Sequence, residues 1–262
     1  MPAADAESFY RDHAMKNVLR HAVAGFLLMA GFHVGTSEAS VIINGTRVVY
    51  PSQQREVTVK LQNQGKTPAL VQVWMDAGDE KATPEEAKVP FTLAPPIFRM
   101  EPGKGQAVRM VYTKEPLPTD KESIYWLNVL EVPPKAADPD GSNLLQFAFR
   151  TRIKVLFRPA NLPGSAADAP DKLTWKLTSS EDGKGYALQV SNPTPYYVNF
   201  ANVGLKVGDR SIPSDGGMVA PGGTTSFPLK QLTARPTGDV QAQYRFITDL
   251  GALTEKLAPL AP

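Results

Sequence analysis

Residues 144–158 read L-L-Q-F-A-F-R-T-R-I-K-V-L-F-R, and their period constrains the chain more than any other stretch. Taken two at a time, Leu145, Phe147, Phe149, Thr151, Ile153, Val155 and Phe157 share one face. Gln146, Ala148, Arg150, Arg152, Lys154 and Arg158 share the other, interrupted only by Leu156. Strict alternation of this kind is that of a β-strand. At about 15 residues the run is nearly three times the usual strand length, so one sandwich pairs its second half and something else must cover the first. An amphipathic strand that outruns its sheet is an aggregation hazard or an edge offered to another protein. A long central strand with a bend gives the same period.

The rest of the chain is also built of short strands. Before this run, strand-like segments fall at 41–43, 47–50, 56–62, 69–75, 91–94, 97–100, 107–112 and 124–132, separated by turn chemistry such as N-Q-G-K at 63–66 and E-P-G-K at 101–104. After Arg158 comes P-A-N-L-P-G-S-A-A-D-A-P, aperiodic and rich in Pro and Gly, which reads as a linker. A second set follows at 173–179, 186–191, 198–207, 224–228 and 240–248. The expectation is an all-β protein of two immunoglobulin-like β-sandwiches joined at an elbow: 40–158 and 172–262, with 159–171 between them.

Residues 1–39 are set apart. M-K-N-V-L-R-H from Met15, the apolar run A-V-A-G-F-L-L-M-A-G-F, and a small-x-small site at Ser37-Glu38-Ala39 form a secretory leader with cleavage expected after Ala39. The apolar run is too short to anchor in a bilayer. Met15 is a second candidate start, and a buried first helix is the other reading of this segment. Removal leaves 25 Lys+Arg against 22 Asp+Glu in a secreted or periplasmic product.

That removal also exhausts the usual catalytic parts. The chain has no Cys, and His13, His21 and His33 all precede the expected cut. Disulfides, thiol nucleophiles, Ser-His-Asp triads and the usual zinc and copper ligand sets are therefore excluded from the mature chain. A net charge of +2 over 262 residues gives no field to argue for nucleic acid. The loop D-P-D-G-S-N at 138–143 resembles half a calcium loop but has Phe149 where a bidentate Glu belongs, so it reads as a turn. Asp76, Asp79 and Glu80, in D-A-G-D-E-K, read as a solvated loop rather than a glycosidase carboxylate pair. No cofactor is called for.

Two cations remain of interest. Arg47 and Lys154 each lie on a strand with no acidic residue within four positions. Either can snorkel to water; if both face the cleft between domains, they form a receptor for a carboxylate. Glu122, Arg158 and Asp249 stand at strand junctions, where a salt bridge between domains would fix the elbow. Whether they meet is not written in their spacing.

Five segments, T-R-V-V-Y at 46–50, A-P-P-I-F-R-M-E-P-G at 94–103, E-S-I-Y-W-L-N-V-L-E-V-P-P at 122–134, Q-F-A-F-R-T-R-I-K-V-L-F-R-P at 146–159 and N-P-T-P-Y-Y-V at 192–198, resemble in order those of the periplasmic pilus-assembly chaperones of the chaperone–usher pathway. The resemblance covers about residues 40–250. It implies a non-enzymatic periplasmic chaperone whose Arg47 and Lys154 anchor the C-terminal carboxylate of a pilin subunit. It further implies that Leu145, Phe147 and Phe149 fill the groove left by the subunit's missing strand, and that the subunit passes to an outer-membrane usher. Glu122, Arg158 and Asp249 match positions that hold the two domains together, and Pro95-Pro96 matches a proline pair that is commonly cis. The short 133–143 connection resembles the branch that serves rod-like pili, while the tail A-L-T-E-K-L-A-P-L-A-P has no counterpart in the resemblance. Self-association through the exposed strand is a further expectation. A secreted two-domain adhesin or carbohydrate-binding module is the alternative; it would depend on loop-tip aromatics or calcium and have no use for Arg47 or Lys154.

Overall fold

The computed structural model describes residues 40–135, 146–180, 183 and 185–262. The expected leader, the calcium-like loop and Leu145 lie outside the described residues.

The first half contains β1 (Val41–Ile43), β2 (Arg47–Pro51), β3 (Val57–Asn63), β4 (Ala69–Asp76), β5 (Phe91–Ala94), β6 (Ile97–Met100), β7 (Gly105–Tyr112), β8 (Ser123–Val132) and β9 (Phe149–Arg158). They form a four-stranded sheet in the order β1-β3-β7-β5 and a five-stranded sheet in the order β2-β9-β8-β4-β6. Alternate residues of both sheets point inward: Val59, Leu61, Val108 and Met110 from one, Val71, Val73, Leu127, Val129, Ile153, Val155 and Phe157 from the other. One end of this core is aromatic, with Phe91 edge-on to Tyr125 at 5.0 Å and Tyr112 tilted on Phe157 at 4.7 Å. The Ala94–Pro95 bond is cis.

The chain changes sheets between β1 and β2, and this positions everything that follows. β1 pairs antiparallel with β3. After Gly45, at φ 128°, a conformation open to glycine and strained for other residues, β2 crosses to the opposite sheet and runs parallel to β9. β2 reaches only Lys154–Arg158, whereas β8 pairs with β9 from Phe149 to Phe157. Residues 149–153 of β9 therefore have no strand partner, among the described residues, on the side away from β8. The strand expected from residue 144 begins at Phe149; residues 146–148 are described but lie outside the ladder.

The second half is a smaller sandwich. It contains β10 (Thr174–Ser179), β11 (Tyr186–Ser191), β12 (Val198–Val207), β13 (Arg210–Ser214), β14 (Gly217–Val219), β15 (Thr224–Leu229), β16 (Val240–Ile247) and β17 (Leu253–Pro259), preceded by a 3-10 turn at Ala169–Lys172. One sheet runs β10-β11-β15 and the other β13-β12-β16-β17, with β14 also on β12. The core centres on Trp175, stacked at 4.9 Å on Tyr244, and on Phe200. Three strands were not anticipated from sequence. β13 and β17 are edge strands, each carrying a proline, and β14 spans three residues; none shows the apolar alternation of a strand buried on one face. The tail that matched nothing in sequence supplies β17, which pairs along β16.

Candidate functional site

The outer face of β9 changes role along its length. Near its start, Arg150 and Arg152 lie over the Trp74 and Trp126 rings at 4.8 and 4.6 Å. Arg152 grips Asp76 with two bonds, 2.5 and 3.0 Å. Asn128 joins the two arginines, donating to Asp76 at 2.8 Å and accepting from Arg150 at 2.9 and 2.7 Å. Asp76 is buried, not the solvated residue its polar run suggested; the Arg152, Asn128 and Gly78 donors outweigh the cost of burial and hold its carboxyl below the usual range. Asp79 and Glu80 are exposed.

Further along, the same face meets the second sandwich. Leu156, the apolar break in the polar face, is buried there and lines a cleft of about 430 Å³ together with Arg47, Tyr197, Asn199, Phe246 and Asp249. Parallel pairing sets Arg47 directly opposite Lys154, so the two cations are side by side. Lys154 Nζ donates to Asn199 Oδ1 at 2.5 Å, and Arg47 Nη1 donates to the Ile247 carbonyl at 3.1 Å. The Arg47 Nε donor is buried without a partner. Burial, and then the Arg47 charge, push Lys154 down to about 8. Burial also lowers Arg47, against the pull of Asp249. Two desolvated cations stand in register, one with an unused donor, so a carboxylate placed between them would relieve their repulsion and satisfy Arg47 Nε.

The elbow is fastened four residues beyond Lys154. Arg158 Nε donates to Glu122 at 2.6 Å, and its two terminal nitrogens donate to Asp249 at 2.7 and 3.0 Å. Glu122 Oε2 also accepts the Tyr197 N–H at 2.7 Å, and the Glu122 N–H donates to Pro195 O at 2.9 Å, so one residue of the first sandwich is tied twice to the second. Burial works against the Arg158 charge, but Asp249 and Glu122 outweigh it and its pKa is raised. Burial pushes the Glu122 carboxyl up, against Arg158 and the Tyr197 N–H. The cost of desolvating the pair thus falls on the fully buried partner.

Of the three apolar residues singled out on the long run, Phe147 is 54% exposed. Phe149 is half-buried at the head of β9, opposite Glu131 of β8. Gln146 is held by the Pro133 and Pro134 carbonyls at 3.1 and 2.5 Å. Asn199 and the Ile247 carbonyl, which complete the cation site, were missed in sequence. The only available signal was Asn199 itself, a polar residue inside the apolar run V-N-F.

Two immunoglobulin-like sandwiches thus meet at a cationic cleft, with an open strand edge leading into it. Residues 40–163 match the family described as pili and flagellar-assembly chaperone, PapD N-terminal domain, and 168–258 match the pili assembly chaperone PapD, C-terminal domain. The chain is 42% identical over 228 residues to the probable fimbrial chaperone YadV of Escherichia coli K12, covering 86% of this chain and 92% of YadV. It is 41% identical over 229 residues to the chaperone protein FimB/FhaD of Bordetella pertussis, covering 86% and 90%. A crystal structure of YadV superposes with a TM-score of 0.73, at 39% identity over 85% of this chain and all of that one. The SafB chaperone, solved in complex with the Salmonella enterica SafA pilin, gives 0.70 at 29% identity over 86% and 99%. This chain belongs to the pilus assembly chaperone family.

Proposed function

We propose that this protein is a periplasmic chaperone that captures incomplete pilin subunits by lending them a strand and delivers them to an outer-membrane usher. Residues 40–158 and 172–262 act as its two domains, 159–171 as their linker, and 1–39 as a leader removed on export. The observation that carries this reading is Arg47 opposite Lys154, both desolvated, at the foot of a strand whose edge is open from Phe149 to Ile153. A subunit strand laid on that edge would run toward the cations and end on them by its C-terminal carboxylate. Leu145, Phe147 and Phe149 would then fill the subunit's groove, each worth roughly 1.5–3 kcal/mol before ordering costs. Glu122, Arg158 and Asp249 hold the elbow at the angle that leaves the cleft accessible. The reading needs no cofactor, and in the absence of a subunit the open edge is the surface through which two copies would associate. The adhesin or carbohydrate-module alternative is not favoured by the family or by its relatives.

Co-expression with a fimbrial subunit tests it. Arg47→Ala and Phe147→Glu should each abolish co-purification of the subunit while leaving the chaperone's melting temperature within about 2 °C, since Phe147 is exposed and the burial cost of Arg47 is only partly offset by Asp249. Undiminished subunit yields with either variant would overturn the role assigned to that residue.

A further inference from the structure

Away from the cleft, Glu131 poses a separate question. It is a β8 residue, 6% exposed, and among the described residues no Lys or Arg pairs with it. Its carboxylate instead collects three donors from the first two described residues: the Ser40 N–H at 2.9 Å, the Val41 N–H at 2.9 Å and the Ser40 hydroxyl. Buried carboxylates are ordinarily matched by a cation. Ser40 itself is seated firmly, its carbonyl accepting Gln64 N–H at 2.7 Å. Its Cβ lies so close to Gly65 that a side chain there would come within 2.4 Å.

We propose that Ser40 is the first residue of the mature chain and that Glu131 is the receptor for its ammonium group. This rests on the export reading above. Hydrolysis of the Ala39–Ser40 peptide bond by a leader peptidase consumes one water: the hydroxyl goes to the Ala39 carbonyl, which leaves as a carboxylate, and the nitrogen stays with Ser40 and is protonated. The atom 2.9 Å from Glu131 Oε2 thereby changes from a neutral amide to a cation. Processing supplies the missing partner, and the new ion pair fastens the head of β1, the strand whose crossing to β2 delivers Arg47 to the cleft. The residue facing Glu131 on β9 is Phe149, so the same pair also braces β8 where it carries the head of β9.

The test starts with the full chain purified after export, by intact mass and N-terminal sequencing. Ser40 is the expected first residue; any other terminus overturns the processing site, whereas the chaperone reading is judged separately by subunit co-purification. The Ser40-initiated protein is then compared with one that retains Ala39, in which the ammonium is displaced. Retention should lower the melting temperature by about 3–8 °C, and an unchanged melt overturns the ammonium pair without need of any substitution. In Glu131→Gln the same retention should shift the melt by less than about 1 °C; an equal loss in both backgrounds would show that Glu131 does not read the terminus.

Discussion

Lys154 gives the cleft a pH dependence whose size follows from its displaced pKa. Burial and Arg47 bring the ammonium down to about 8 from an ordinary 10.5. Only the protonated form attracts a carboxylate, and an arriving carboxylate raises the pKa again, so binding takes up a proton wherever the free site has lost one. A lysine with a pKa of about 8 is about 90% protonated at pH 7 and about 10% at pH 9. Affinity for a carboxylate-terminated strand should therefore fall about tenfold between those two values, or about 1.4 kcal/mol. The assay is fluorescence anisotropy of a synthetic peptide reproducing a subunit's C-terminal strand, with its C-terminal amide as control. Lys154→Arg keeps a charge that does not titrate in this window and should give a flat profile. The free protein has the opposite sign. Below pH 8 both native and unfolded lysine are charged and the burial cost is full; between 8 and 10.5 the unfolded chain binds more protons, so stability rises with pH. A wild-type peptide affinity that is constant from pH 7 to 9, or that falls equally with Lys154→Arg, would refute the argument that Lys154 is a desolvated ligand of the carboxylate.

Arg158→Ala should destabilise the elbow by about 3 kcal/mol, because Glu122 would stay buried with its principal partner gone; differential scanning calorimetry should show a melt lowered by about 6–12 °C, and an unchanged melt would mean that the bridge contributes nothing. Asp76→Asn should cost about 1.5–3 kcal/mol at pH 7 through loss of the charge gripped by Arg152. The Asp76 carboxyl is depressed, so its contribution is complete above the unfolded value near 3.9 and disappears as pH falls through the native one. Urea midpoints of wild type and variant should converge below about pH 4; a gap independent of pH would assign the effect to packing.

What the sequence made legible was facing, and what it concealed was partnership. Alternation alone divided 149–158 into its two faces, and Leu156, the one exception, is buried in the cleft lined by the second sandwich. Period does not say which strand lies alongside, so the parallel register that puts Arg47 against Lys154 was not legible; resemblance to a family implied only that both cations serve one site. The same limit hid Asp76: D-A-G-D-E-K is dominated by charged residues, and only the β4–β8–β9 pairing brings Arg152 and Asn128 to its first residue. Glu131 was passed over inside E-V-P-P because its partner, Ser40, lies 91 positions away. In the second half, β17 escaped because an edge strand exposed on alternate residues need not be apolar on either face.

The two properties on which the proposed receptor rests share one cause in the chain's path. Because β1 and β2 belong to different sheets, β2 is short and late: it arrives beside β9 only at Lys154, which seats Arg47 there. Had the first strand stayed in one sheet, it would have paired with residues 149–153 and closed the edge. The open edge and the paired cations are consequently not separate acquisitions but the two sides of one strand crossing, made at Gly45. An open edge in a monomer invites indiscriminate pairing. Beside it, Arg150 and Arg152 cover the outer face of the sheet, reaching back over β8 and β4 to Asn128 and Asp76 with their charges fixed rather than mobile, so the face next to the edge is charged. On the proposed reading, a strand that ends in a carboxylate would gain the cation contacts, because Arg47 and Lys154 stand one residue past the edge's last unpaired position, Ile153.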